Sequence, residues 1–570
     1  MASTQYLTNL APFQDRLDAA LAQLASGKII ERIWQHSHSV WSPDPTEIAN
    51  RLGWLHSPEA MPEHCHEIQE FVEQVKAAGY CRALLLGMGG SSLAPEVFRF
   101  TFGVQDGFLD LAVLDSTDPG AVLAQAEALD PDSTLFLVST KSGGTIETLS
   151  FFKYFYTLTA EAVGHERAGA HFVAITDPGS ALEKMAAELD FRKCFLNDPN
   201  IGGRFSVLSY FGLVPAALIG LEVQTLLERA REMARLCRQP DLEQNEGALL
   251  GAVLGELALA GRDKMTMVAS PQVRFFGAWV EQLIAESTGK AGKGILPVDL
   301  EEPGAPQVYG DDRLFVYWHL HEDATYDPQV SALRAAGFPV VQIELRDLYD
   351  LGREFFRWEM ATAVACERLG VNPFDQPNVE SAKTLARKMV SEYQEKGELP
   401  TQTPNLATGD LEVYTDFEAD DLAGALATFF APVSTGREGP VRAYVAIQAY
   451  VQPAPETDKA LQALRHTIRD RLQLAVTVGY GPRFLHSTGQ LHKGDSGNGL
   501  FIQITAEVAD DAPIPDHPGK PESSMTFGVL ETAQALGDGR ALLAAGRKVM
   551  RLHLKGKVAD GLKLIAESIG

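Results

Sequence analysis

The chain of 570 residues carries 49 Lys and Arg against 75 Asp and Glu, a formal net charge of −26 at pH 7. So acidic a surface repels nucleic acid and anionic membranes, and neither is expected as a partner. The five cysteines are odd in number, far apart and without a CxxC, which indicates neither a disulfide framework nor a zinc site and fits a reducing cytoplasm.

The length predicts roughly three or four domains. The opening stretch MASTQYLTNLAPFQDR has no basic start followed by an apolar core, and the longest apolar run, VLSYFGLVPAALIGLEV, is broken by Ser, Tyr, Gly and Pro. Neither a signal peptide nor a membrane span is expected. Residues 1–67 are expected as a helical segment. From Ile68, short apolar runs alternate with segments of helical period, the pattern of a doubly wound parallel sheet. A first α/β domain, 68–235, holds strands RALLLG, DLAVLD, TLFLVST and HFVAIT, with helices from near Leu93, Gly120 and Thr145. A second, 236–400, holds strands KMTMVAS, DRLFVYWHL and FPVVQIEL, a helix from about Gln272 to Thr288, and helices near 350–370 and 378–395. The Pro- and Thr-rich ELPTQTPNLATGD reads as a linker. A C-terminal α/β region, 408–570, follows with strands VRAYVAIQAYV, LAVTVGYG, LFIQIT and RKVMRLHL.

Two loops carry a chemical signal. STKSGGT, from Ser139 to Thr145, lies where a strand feeds a helix, the place where ligands bind in such sheets. Its backbone N–H groups, the positive helix end and the hydroxyls of Ser139, Thr140, Ser142 and Thr145 favour a dianionic phosphate. Gly144 lets the backbone come close, and Lys141 adds a point charge. The same residues also suit an ordinary strand-to-helix connection. LLLGMGGSSLAP, one or two strands earlier, repeats the design with Gly90 and Ser91 at its turn. It superficially matches a dinucleotide fingerprint, but Ser92 replaces the third glycine and Asp115 lies too far downstream, so no nicotinamide cofactor is expected.

Five stretches, in order, are GMGGSSLAP, STKSGGTIET, GGRFSVLS, AESTGK and NPFDQPNVESAK. They resemble the motifs of the glucose-6-phosphate isomerase family, which is built from two sugar isomerase domains. The resemblance runs from about Ile68 to Arg387 and is nearest to the isomerase half of bifunctional transaldolase/glucose-6-phosphate isomerase proteins. It implies interconversion of glucose 6-phosphate and fructose 6-phosphate by proton transfer through an enediol, with a hexose 6-phosphate as partner and no metal or cofactor. It also implies a homodimer, with a monomer as the alternative. Glu286 is the implied base: the helix before it turns Val273, Phe276, Val280 and Leu283 to one apolar face and sets Gln282 beside Glu286. Arg204, after two glycines, is a fixed charge for the enediolate. Lys383, early in a helix, is implied in ring opening and substrate contact.

The histidine departs from the family pattern. Most members carry a Gly-Gln-His segment soon after the base motif, but that stretch here reads VYGDDRLFVYWHLH. A similar GQLHKG occurs far downstream at Gly489 to Gly494. Ring opening is therefore assigned to His492, with His486 in reserve, and the C-terminal region is expected to fold back over the cleft of its own chain. His64, Cys65 and His66, like His319 and His321, alternate as metal ligands do but lack a remote partner pair. Ser91 and Ser142 lie outside any GxSxG. Two other functions stay open: a bifunctional phosphoglucose/phosphomannose isomerase, and a non-catalytic sugar-phosphate sensor.

Overall fold

Runs such as RALLLG, TLFLVS and YVAIQAY are apolar almost throughout because helices cover both faces of the sheets they enter. A computed structural model describes residues 5–434 and 442–569. Its first sheet runs Asp110–Leu114, Arg82–Gly87, Thr134–Ser139, Phe172–Thr176, Lys193–Leu196, all parallel. The second runs Leu296–Val298, Lys264–Ala269, Arg313–Leu320, Val340–Leu345 in parallel and closes on an antiparallel Gln5–Thr8. The third runs Ala475–Tyr480, Tyr444–Tyr450, Gly499–Ala506, Lys548–Leu554 in parallel, then antiparallel Leu411–Tyr414 and Leu406–Thr408. Counting the parallel strands of each sheet in chain order gives 2-1-3-4 in all three, with a fifth strand in the first. The chain thus repeats one doubly wound plan three times.

The strands that pattern alone misses are short, and most lie at sheet edges. Lys193–Leu196 and Leu296–Val298 are four and three residues long, too short to show a period. Gln5–Thr8 lies in the segment expected to be helical, and Leu406–Thr408 in the stretch read as a linker. That stretch is a hairpin: Thr408 pairs with Leu411 around a two-residue Gly-Asp turn.

Helices tie the three units together across the expected boundaries. Val223–Leu236, at the end of the first expected domain, packs on Leu351–Leu369 of the second. Glu380–Lys396, at the end of the second, packs on Phe527–Ala544 of the C-terminal region. Phe527 in turn stacks on Phe151 with ring centroids 5.9 Å apart, and Ile514 and Leu530 join it in the core beside the first sheet. The C-terminal region is therefore no detached domain; its residues fill part of the first unit's core. That docking carries its loops to the mouth of the first sheet. The helix Phe276–Thr288 is buried along most of its length, and Phe276, Val280 and Leu283, with Val273 just before it, belong to the largest core. Among the described residues no helix is long and apolar enough to cross a membrane.

Candidate active site

A cleft of about 700 Å³ opens beyond the carboxyl ends of Arg82–Gly87 and Thr134–Ser139. These are strands 1 and 3 of the first sheet, where the winding reverses and the crevice of a doubly wound sheet forms. Six Lys or Arg residues line it against four carboxylates. On a molecule of net charge −26 this local excess of cations suits an anionic ligand.

The GMGG turn makes the floor. A Cβ on Gly90 would sit 2.1 Å from the carbonyl oxygen of Gly203, so only glycine lets the loop bearing Arg204 lie across it. Gly89 has φ +56°, and a Cβ there would meet Gln282 Nε2 at 2.8 Å and the His486 carbonyl at 2.9 Å. Three functional segments thus converge on two glycines. Gly90 and Ser91 line the cleft as expected, but the turn's tightest contacts are with protein.

Arg204 is buried, and its guanidinium is held from every side. Nε donates to Ser287 Oγ at 2.9 Å, Nη1 to Gln376 Oε1 at 3.0 Å, and Nη2 to the carbonyls of Pro373 and Asp375. Nη1 also lies 3.4 Å from Glu286 Oε2. The same loop takes a second cation: Lys290 Nζ donates to the Asn372 carbonyl at 2.7 Å and to Asp375 Oδ1 at 2.8 Å. Burial, reinforced by Arg204, pushes the Lys290 ammonium down to about 8. NPFDQPN is therefore a rim of carbonyls that fixes Arg204 against Glu286. Gln282, one helical turn before Glu286, donates to its Oε2 at 3.1 Å and to the His486 carbonyl at 2.8 Å.

His486, the reserve histidine, enters this cleft. Its Nε2 lies 3.1 Å from Glu147 Oε1, which also accepts from Gln534 Nε2 at 2.7 Å. Burial opposes ionisation of Glu147, but His486 beside it and Lys383 nearby outweigh that and hold the carboxyl below the ordinary glutamate range. Glu147 is the last residue but one of STKSGGTIET and was missed by sequence reasoning, because an acid in the first turn of a helix reads as a complement to the helix dipole. Lys383 lines the cleft as expected.

His492 does not reach the cleft. Its helix, Gly489–Gly494, turns Gln490 and Lys493 one way and His492 the other. Gln490 Nε2 donates to the Gly289 carbonyl at 2.9 Å and to Asn378 Oδ1 at 2.7 Å, so this side docks on the second unit. Lys493 reaches the cleft wall. The His492 ring is only 2% exposed and lies between Tyr444, Phe484 and Phe501, where burial holds its pKa well below the ordinary histidine value. GQLHKG is a docking wedge, and the histidine at the cleft is the one at 486.

Ser139, Thr140, Lys141, Ser142, Gly144 and Thr145 all line the cleft, with the first turn of helix Ile146–Val163 behind them. Thr145 contacts Thr140 Oγ1 at 3.1 Å instead of capping the helix, and Thr148 Oγ1 is buried without a hydrogen-bond partner. Lys141 is less available than expected: its ammonium bonds Asp177 and the Pro199 carbonyl. Arg51, which sequence reasoning missed, joins the lining from the N-terminal segment.

The family model for phosphoglucose isomerase matches residues 57–311. A glucose-6-phosphate isomerase of Rubrobacter xylanophilus is 31% identical over 388 residues, 60% of this chain and 89% of that one. One of a Synechococcus species is 34% identical over 403 residues, 58% of this chain and 73% of that one. A hypothetical protein from Thermus thermophilus, of known crystal structure, superposes with a TM-score of 0.60 at 26% identity, covering 67% of this chain and 99% of that one. A glucose-6-phosphate isomerase from Chlamydia trachomatis shares the fold at 18% identity and a TM-score of 0.56, over 66% of this chain and 86% of that one.

Proposed function

We infer the reaction from two premises: this chain belongs to the glucose-6-phosphate isomerase family, and its cleft sets a buried carboxylate–guanidinium pair near a histidine–carboxylate pair. It interconverts glucose 6-phosphate and fructose 6-phosphate. Glu286 takes the proton from C2 of the open aldose and returns it to C1, and the reverse from the ketose. Arg204, fixed before substrate arrives, stabilises the enediolate oxygen without reorganising, and cannot itself act as an acid. Gln282 holds the Glu286 carboxylate in place.

Ring opening needs a proton removed from the anomeric hydroxyl and one delivered to the ring oxygen. His486 does this work, its ring set by Glu147, with Lys383 as a second donor on the cleft wall. The hydroxyls of Thr140, Ser142 and Thr145 and the helix end behind them hold the phosphate. Every one of these groups belongs to one chain.

The observation that carries this reading is the 3.4 Å contact between Arg204 Nη1 and Glu286 Oε2, both in a cleft rich in cations. A sensor of sugar phosphates needs the cations but has no use for a positioned base. The test is fructose 6-phosphate in deuterium oxide with purified protein: glucose 6-phosphate should form with deuterium at C2. No turnover by the wild-type protein would overturn the reading.

A further inference from the structure

His486 sits on a bridge rather than on a framework element. It ends a single turn, Arg483–His486, between the strand Ala475–Tyr480 and the short helix Gly489–Gly494, and so short a segment does not fix a ring by itself. Three anchors hold it. Phe484 packs edge-on against Tyr450, with ring centroids 5.5 Å apart, and so ties the turn to its own unit. Gln282 Nε2 donates to the His486 carbonyl at 2.8 Å and Ser487 Oγ to Glu281 Oε1 at 3.3 Å, which tie it to the second unit.

The third anchor is ionic and reaches the first unit. Arg483 bonds Glu96, and its Nη1 lies 3.4 Å from Asp115 Oδ2, which Ser92 Oγ also contacts at 3.0 Å. Ser92 and Glu96 stand at the start of the helix Leu93–Phe102, fed directly by the GMGG turn that floors the cleft. Arg483 itself faces away from the cleft, into a separate cavity between the three units. It touches neither the Glu286–Arg204 pair nor the phosphate loop.

We propose that Arg483 is a positioning residue for ring opening: it pins the His486 turn to the helix after the GMGG floor, and so sets the imidazole against Glu147. The proposal rests on the isomerase reading above. Without the guanidinium, Glu96 and Asp115 are left as like charges, and the turn's charged tie to the unit that holds Glu147 is reduced to the His486–Glu147 contact itself. A reacting group displaced by roughly 1 Å can cost about a hundredfold in rate. The proton-transfer pair keeps its own supports, so the loss should fall on the step that needs the histidine.

Two substrates separate the steps. Fructose 6-phosphate must be opened, whereas 5-deoxyfructose 6-phosphate lacks the hydroxyl that closes the furanose ring and presents an open ketone from the start. For Arg483→Met we expect kcat on fructose 6-phosphate to fall by about tenfold or more. Exchange of the C1 proton of the 5-deoxy sugar with deuterium should stay within about twofold of wild type. The affinity for 6-phosphogluconate, an acyclic sugar acid phosphate, should be unchanged. Arg483→Lys should recover part of the loss, and the milder Glu96→Gln should show the same split at smaller amplitude. Unchanged kcat on fructose 6-phosphate would overturn the proposal. So would an equal loss of ring-closed turnover, open-chain exchange and acyclic acid affinity. Failure of the wild-type protein on fructose 6-phosphate would instead strike the isomerase reading itself.

Discussion

The first and third units share one strand order, yet their strand ends do different chemistry. In the first sheet, strands 1 and 3 end in GMGGSS and TKSGG, loops of glycine and hydroxyl residues of the kind that suit an anion. In the third, the equivalent strands end at Tyr450 and Ala506 and run into VQPAPE and EVADDAP. Proline removes donors and the acids repel phosphate, so this crevice offers an anion nothing. The third unit contributes instead through the loop after its second strand, which leaves its own sheet and carries His486 into the first unit's cleft. A repeated fold fixes where loops emerge. Their composition decides whether they hold a ligand or help a neighbour to do so.

This division of labour can be broken most severely at the base. Glu286→Gln keeps the shape and a partner for Arg204, and should lower kcat by at least about a hundredfold while abolishing C2 exchange with solvent. Removing the group lent by the third unit comes next. His486→Ala should cost about a hundredfold on ring-closed sugar in steady-state assays and little on the 5-deoxy substrate. His492→Ala sharpens the contrast: it empties a ring-lined site in the core, so it should lower unfolding free energy on the order of 2–3 kcal/mol. Its kcat per folded molecule should stay within about threefold of wild type.

Smaller effects probe the loops and the seam. Lys141→Ala should raise KM by about threefold to tenfold and leave kcat nearly unchanged, because the phosphate is held alike in ground and transition states. The rise is modest because Asp177 already offsets that charge. At the seam of the units, burial and then the neighbouring Glu281 push the Asp299 carboxyl up to about 8 from an ordinary 3.8. A carboxyl raised on folding lends its full stability below the unfolded value and loses it as pH climbs toward the folded one. The melting temperature should therefore fall between about pH 4 and about pH 8, and Asp299→Asn should flatten part of that slope.

Much of this was legible because buried parallel strands and amphipathic helices write strong patterns: RALLLG, TLFLVST and the helix before Glu286 stand where periodicity puts them. Edge strands such as Leu296–Val298 were not, since three residues hold no period. Among site residues, motif letters located Arg204, Glu286 and the phosphate loop at the cleft. They misled at GQLHKG, where a match of letters says nothing about which helix face turns inward. In a six-residue helix, 490 and 493 share a face and 492 does not. Glu147 was hidden by the opposite problem, an ordinary local explanation for an acid at a helix start. Arg51 and Gln534 come from segments so distant in sequence that only the fold brings them in.

If the third unit completes the active site of its own chain, subunit mixing will show it. His486→Ala and Glu286→Gln, each expected to lose about a hundredfold or more on fructose 6-phosphate, are mixed, unfolded and refolded together so that any assembly can form from both. The mixture should stay as inactive as its parts, because each chain lacks one group that only it can supply to itself. Recovery of activity well above the sum of the two would show that the histidine crosses between chains and would contradict this.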